Sequence, residues 1–164
     1  MLLLLLELGM PTYYMEYRQV VEHPREKVWN FFSQPHNLSR LSPKDAGVVI
    51  VSPQPGILMY TGIIVHLKMG PSWAPKLHWH SKITQIQAPD YFIDEQLSGP
   101  FAQWHHEHRF VAIDDNRTEI IDILHYAPPF GPIGALANWL FVRRQLEQVF
   151  KYRQEISANF DFSA

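Results

Sequence analysis

The chain has 164 residues, 46% of them hydrophobic and 18% charged, with a formal net charge of −2. That length suits one domain whose core needs no covalent staples, and the balance is that of a globular chain rather than a disordered one. The lack of cysteine excludes disulfides, thiolate metal sites and cysteine nucleophiles, and a near-neutral charge is not the basic footprint of a nucleic-acid binder.

Met1 to Leu6 form an apolar run that Glu7 interrupts. No basic region precedes it, its length falls short of a secretory signal, and a membrane span needs roughly 20 apolar residues. Residues 1–11 therefore read as an apolar extension ahead of the domain, with Met10 as an alternative start. Such an end packs against its own domain or against a neighbouring chain, which leaves a homodimer open. The expected setting is soluble and cytoplasmic, with no transmembrane segment and no nucleic-acid partner.

Thr12 to Val21 alternates and is rich in Tyr and Val, so it predicts a first strand. Pro24 suits the first turn of a short helix, for which Val28, Trp29, Phe31 and Phe32 supply an apolar face. Pro35 stops it, and Leu38 and Leu41 suggest a second short turn before Pro43. Six strands then follow, predicted at 47–52, 57–69, 76–87, 91–97, 102–113 and 118–126, each ending at Gly, Pro, Asp or Asn. Connections that short imply an antiparallel meander, because parallel strands need long crossovers.

After Pro128, Pro129, Gly131 and Pro132 the period becomes helical. Trp139, Val142, Leu146, Val149, Arg153 and Ile156 form a stripe from Ile133 to about Ile156. Leu136, Leu140 and Phe141 make the first half apolar nearly all round, so that half is expected to be the more deeply buried. Arg143, Arg144 and Lys151 read as a solvated or capping face, and Arg153 as belonging with them despite its place in the stripe. The order β-α-α-β6-α implies an α+β helix-grip fold, a curved antiparallel sheet wrapped around a long C-terminal helix. The domain is expected over residues 12–158, with 159–164 as a tail.

Alternation assigns the faces. Ile57, Met59, Thr61, Ile63, Val65, Leu67 and Met69 are expected to face inward, as are Leu77, Trp79, Ser81 and Ile83, which leaves His78 and His80 outside. On the next-to-last strand the inward set is Ala102, Trp104, His106, His108, Phe110 and Ala112. Two imidazoles between aromatics need partners, since an unsatisfied buried group costs roughly 1–3 kcal/mol. Asp122 is the candidate. A three-residue loop at Asp114–Asn116, with Asn116 left-handed, sets Asp122 opposite His108 and Tyr126 opposite Trp104. A two-residue loop would set Ile123 there instead.

A His–Asp pair in an apolar pocket admits several readings. It can be a satisfied polar cluster that fixes register. It can be a polar anchor for a ligand among Trp79, Trp104, His106, His108, Phe110, Asp122, Tyr126, Met59 and Ile63. It can be a general acid/base using His106 or His108 oriented by Asp122. Two histidines and a carboxylate could also hold a metal, although the expectation here is no metal and no cofactor. No Gly-x-Ser-x-Gly or phosphate-cradling glycine loop is present.

The run Asp94-Glu95-Gln96-Leu97-Ser98-Gly99-Pro100-Phe101 and the pattern Trp104-x-His106-x-His108-x-Phe110 resemble a ligand-binding subgroup of the START/Bet v 1-like (SRPBCC) superfamily. So do Asp122-x-Leu124-x-Tyr126, Pro129-x-Gly131-x-x-Gly134, Leu140-Phe141-Val142-Arg143-Arg144 and Tyr152-Arg153, which extends the likeness over roughly residues 12 to 156. The resemblance implies the same helix-grip fold and a cavity for a lipid, polyketide, quinone or similar molecule. It implies a binder or carrier, or alternatively a cyclase/dehydrase-type enzyme acting through His106 or His108. A ligand cavity on the order of 300–1,000 Å³ is expected between sheet and helix.

Overall fold

The computed structural model describes residues 11–162. The run of Tyr, Met and Val forms β1 (Tyr13–Val21), and α1 (Arg25–Phe32) buries Val28, Trp29, Phe31 and Phe32 on one face. Pro24 sits just ahead of α1, where its carbonyl accepts the amide of Val28. Two 3-10 turns follow, Pro35–Leu41 and Lys44–Ala46. The meander then runs β2 (Val49–Ser52), β3 (Ile64–Met69), β4 (Leu77–Gln87), β5 (Tyr91–Ser98), β6 (Gln103–Asp114) and β7 (Arg117–Ala127). All seven strands join one antiparallel sheet in the order β1-β7-β6-β5-β4-β3-β2, so the first strand returns beside the last. With the helix that follows, this is the helix-grip arrangement.

The third strand is shorter than the alternation predicts. Gly62 takes φ 95, which a side chain rarely adopts, and the stretch before it turns instead of pairing, with the Met59 amide bonded to the Ser33 carbonyl. Ile57 and Thr61 are therefore exposed, while Ile63, Val65 and Leu67 are buried as expected. Leu77, Ala102 and Ala112, at strand ends, are also exposed.

The β6–β7 hairpin has the expected pairing by a different device. Its loop is the two-residue Asp115-Asn116, closed by the Asp114–Arg117 pair. A bulge at Ile113 absorbs the slip that such a loop would cause, and it restores His108 opposite Asp122 and Trp104 opposite Tyr126. Asn116 is not left-handed, since Phe130 is the one non-glycine residue with positive φ among the described residues.

The C-terminal helix departs most from expectation. It runs as α2 (Pro132–Ala137), a π-turn (Asn138–Val142) and α3 (Arg143–Ala158). The extra residue of the π-turn rotates the facing positions, which step by fours through Gly134, Asn138, Val142, Leu146 and Phe150 before Arg153 and Ser157. Trp139, expected in the buried stripe, is 79% exposed. The apolar first half is the wet half, and the second half enters the core.

Four interactions tie this helix to β1 and β7. The Tyr126 hydroxyl donates to Asn138 Oδ1 (2.9 Å), and Tyr17 stacks on Phe150 with centroids 4.6 Å apart. Gln19 Nε2 donates to the Gln154 carbonyl (2.6 Å), and Gln154 Nε2 donates back to the Arg18 carbonyl (3.2 Å). Past α3, where a tail was expected, Phe160 and Phe162 pack on Phe31 at 4.4 and 5.2 Å. The Met1–Leu6 run lies outside the described residues. No helix among the described residues is long and apolar enough to cross a membrane.

Candidate functional site

Register brings four titratable groups together on the concave face. Asp94 of β5 pairs with His106 of β6, and His108 pairs with Asp122 of β7. Hydrogen bonding crosses those pairs. His106 Nε2 bonds Asp122 Oδ1 at 2.9 Å, and His108 Nε2 bonds Asp94 Oδ2 at 3.0 Å. His108 Nδ1 also lies 3.0 Å from Asp122 Oδ1, but off the line that a hydrogen bond needs. The expected His108–Asp122 pair is thus an electrostatic contact, and His106 makes the direct bond. His106 Nδ1 faces Asp94 Oδ2 at 3.7 Å, which closes a ring of two imidazoles and two carboxylates.

Further donors support the ring. Asp94 Oδ1 accepts from Ser81 Oγ (2.9 Å) and Trp104 Nε1 (3.3 Å), and Arg153 reaches Asp122 Oδ1 at 3.6 Å from α3. Burial pushes the His106 pKa down to about 4, and the neighbouring His108 charge adds to this. Burial also acts against His108, but Asp122 and Asp94 outweigh it and raise the pKa above the ordinary value. For both carboxylates burial acts upward and loses to the imidazoles, which hold Asp94 low and Asp122 well below the usual range. His106 is therefore neutral at neutral pH, and His108 is the imidazole that holds a proton more firmly.

The cavity above this ring has a volume of about 190 Å³, smaller than expected. Its polar end is Ser81, Asp94, His106, His108 and Arg153, and its apolar wall includes Leu38, Leu41, Val65, Leu67, Phe92 and Val149. Of the residues proposed from sequence, Trp79, Trp104, His106, His108 and Met59 line it. Ile63, Phe110, Asp122 and Tyr126 do not. Ile63 and Phe110 lie in the core around Trp29 and Phe32, Tyr126 is turned to Asn138, and Asp122 sits behind the two histidines.

Sequence reasoning missed Asp94, although Phe92-x-Asp94 on β5 carries the alternation that would place it. It also set Arg153 in a solvated face, whereas the side chain is buried and faces the ring. Donor atoms of Asp94, His106 and His108 fall within 4.8 Å of one another, the composition of a two-histidine, one-carboxylate metal site. All four ring nitrogens already face carboxylate oxygens, so a metal would have to displace one of those pairings.

Among solved structures, norcoclaurine synthase from Thalictrum flavum, bound to dopamine and hydroxybenzaldehyde, aligns at 13% identity and TM-score 0.63, covering 93% of this chain and 90% of that one. The Zhui aromatase/cyclase from Streptomyces sp. R1128 aligns at 18% and 0.64, covering 91% and 90%. A protein from Thermus thermophilus aligns at 14% and 0.62, covering 87% and 95%. At these identities the likeness is one of fold. Among curated proteins there is no match. The family model described as polyketide cyclase / dehydrase and lipid transport matches residues 21–150, most of the described fold, and the chain therefore belongs to that family within the START/Bet v 1-like superfamily.

Proposed function

We propose that the chain binds a small amphipathic molecule and carries it without converting it. The observation behind this reading is an apolar cavity that ends on a buried polar ring. Trp79 Nε1 and Arg153 Nε, on side chains that line the cavity, are buried donors with no acceptor among the described residues. A donor left so costs roughly 1–3 kcal/mol, and a ligand carbonyl, phenol or carboxylate would recover that cost. The modest volume favours a compact ring compound over a long acyl chain.

Native mass spectrometry of protein from its own host tests for a retained small molecule. Anilinonaphthalene sulfonate, an apolar ring system with one anionic acceptor, should bind saturably at one site. Leu146→Trp, which fills the cavity from the helix side, should weaken it about tenfold or more, about 1.4 kcal/mol. Binding that Leu146→Trp leaves unchanged would remove the cavity from the proposal.

One observation favours a second reading, a cyclase/dehydrase-type enzyme. His106, with its pKa pushed down to about 4, lies beside His108, with its pKa raised, and the two imidazoles offer a base and an acid inside the cavity. Turnover of a polyketide-like substrate with a bell-shaped pH profile, lost in both His106→Gln and His108→Gln, would establish it over the carrier reading.

A further inference from the structure

One end of the sheet carries an apolar rim that the cavity does not explain. Met69 pairs with Leu77, Gln103 with Ala127 and Tyr13 with Tyr126, so the 70–76 turn, the 128–131 segment and the start of β1 share that end. There Trp73 is 85% exposed, Phe130 79%, Ile133 72% and Trp139 79%, with Leu136 and Leu140 more than half exposed. Phe130 holds φ 69, a conformation that costs a non-glycine residue on the order of 1–2 kcal/mol. That strain brings the core nothing, because the ring it places is in solvent.

The charge at this end is positive in excess, although Asp45 lies there with Lys44 in the turn whose Ala46 carbonyl accepts the Gly70 amide. Residues 128–144 contain Arg143 and Arg144 and no Asp or Glu, and the 70–76 turn adds Lys76. Arg143 reaches back to Glu147 at 3.0 Å, while Arg144 has no ion pair among the described residues. Lys76 bonds the Gly70 carbonyl. We infer that this rim docks on an anionic membrane surface, with Phe130, Trp73 and Trp139 seated at headgroup level and Arg143 and Arg144 against the lipid phosphates. Exposed aromatics beside cations are the chemistry of interfacial segments. Two copies meeting through this face would instead set Arg143, Arg144, Lys44 and Lys76 near their own equivalents with only Asp45 and Glu147 to receive them.

Co-sedimentation of the full chain with vesicles of phosphatidylcholine and phosphatidylglycerol tests this. The protein should pellet with anionic vesicles, and it should release with added salt or with phosphatidylcholine alone. The exposed double variant Phe130→Ser/Trp139→Ser should partition roughly tenfold less while its thermal unfolding stays unchanged. Wild-type protein that remains in the supernatant overturns the inference, as does a double variant that pellets like wild type. So does a dimer in sedimentation velocity that the same two substitutions dissolve. If deleting residues 1–9 abolishes pelleting while Phe130→Ser/Trp139→Ser leaves it intact, the rim is not the docking face.

Discussion

Asp122 Oδ1 serves three cations or potential cations at once, lying 2.9 Å from His106, 3.0 Å from His108 and 3.6 Å from Arg153. Asp122→Asn keeps the shape and removes the charge. Because Asp122 heads the effects that raise the His108 pKa against burial, NMR titration of the imidazole should find that pKa lower in the variant, and an unchanged value would show that Asp94 alone sustains it. The variant should also lose stability, about 3–5 kcal/mol by analogy with broken buried pairs, as read by chemical denaturation. Both histidines and Asp122 were legible in the sequence because strand alternation and hairpin register act locally. Asp94 was not read, since its face on β5 matters only once β5 is laid beside β6. Arg153 was misread because a charged residue at a stripe position looks like a stripe end until the facing carboxylate is known.

The strands were largely legible and the helix half so. Alternating Val, Ile, Tyr and Phe between Gly and Pro punctuation specifies strands without help from the rest of the molecule. The bulge at Ile113 and the π-turn at 138–142 leave no such mark, since each is one extra residue whose place is settled by what it faces. The helix makes the contrast measurable. Phe150 is 2% exposed and packs on Tyr17, so Phe150→Ala should cost roughly 3–5 kcal/mol. Trp139→Ala should stay within about 0.5 kcal/mol of wild type, although both residues are aromatic and belong to the same C-terminal helix. Gly134→Ala should be the harmful change in α2, because a Cβ there would lie 2.0 Å from the Pro129 carbonyl oxygen. Equal losses at Phe150 and Trp139 in urea titrations would contradict the rotated register.

For the whole molecule, the ring sets a pH window. The folded pKa of His106, about 4, lies below its ordinary 6.5. The unfolded chain therefore takes up the extra proton, and roughly 3 kcal/mol of stability is lost as pH falls through that interval. The folded pKa of His108 is raised, so its contribution is complete below 6.5 and is lost as pH rises through the folded value. Melting temperature should peak near pH 6.5, with the acid limb flattened in His106→Gln and the alkaline limb in His108→Gln. The four ties between the C-terminal helix and the β1/β7 half have a mechanical consequence as well. They make that side the spine of a book, with the cavity between the pages and the 34–48 segment as the fore-edge. A guest that enters by the fore-edge requires that segment to open, so amide hydrogens from Asn37 to Val48 should exchange faster than those from Phe150 to Ser157, and a ligand should slow the former while leaving the latter unchanged.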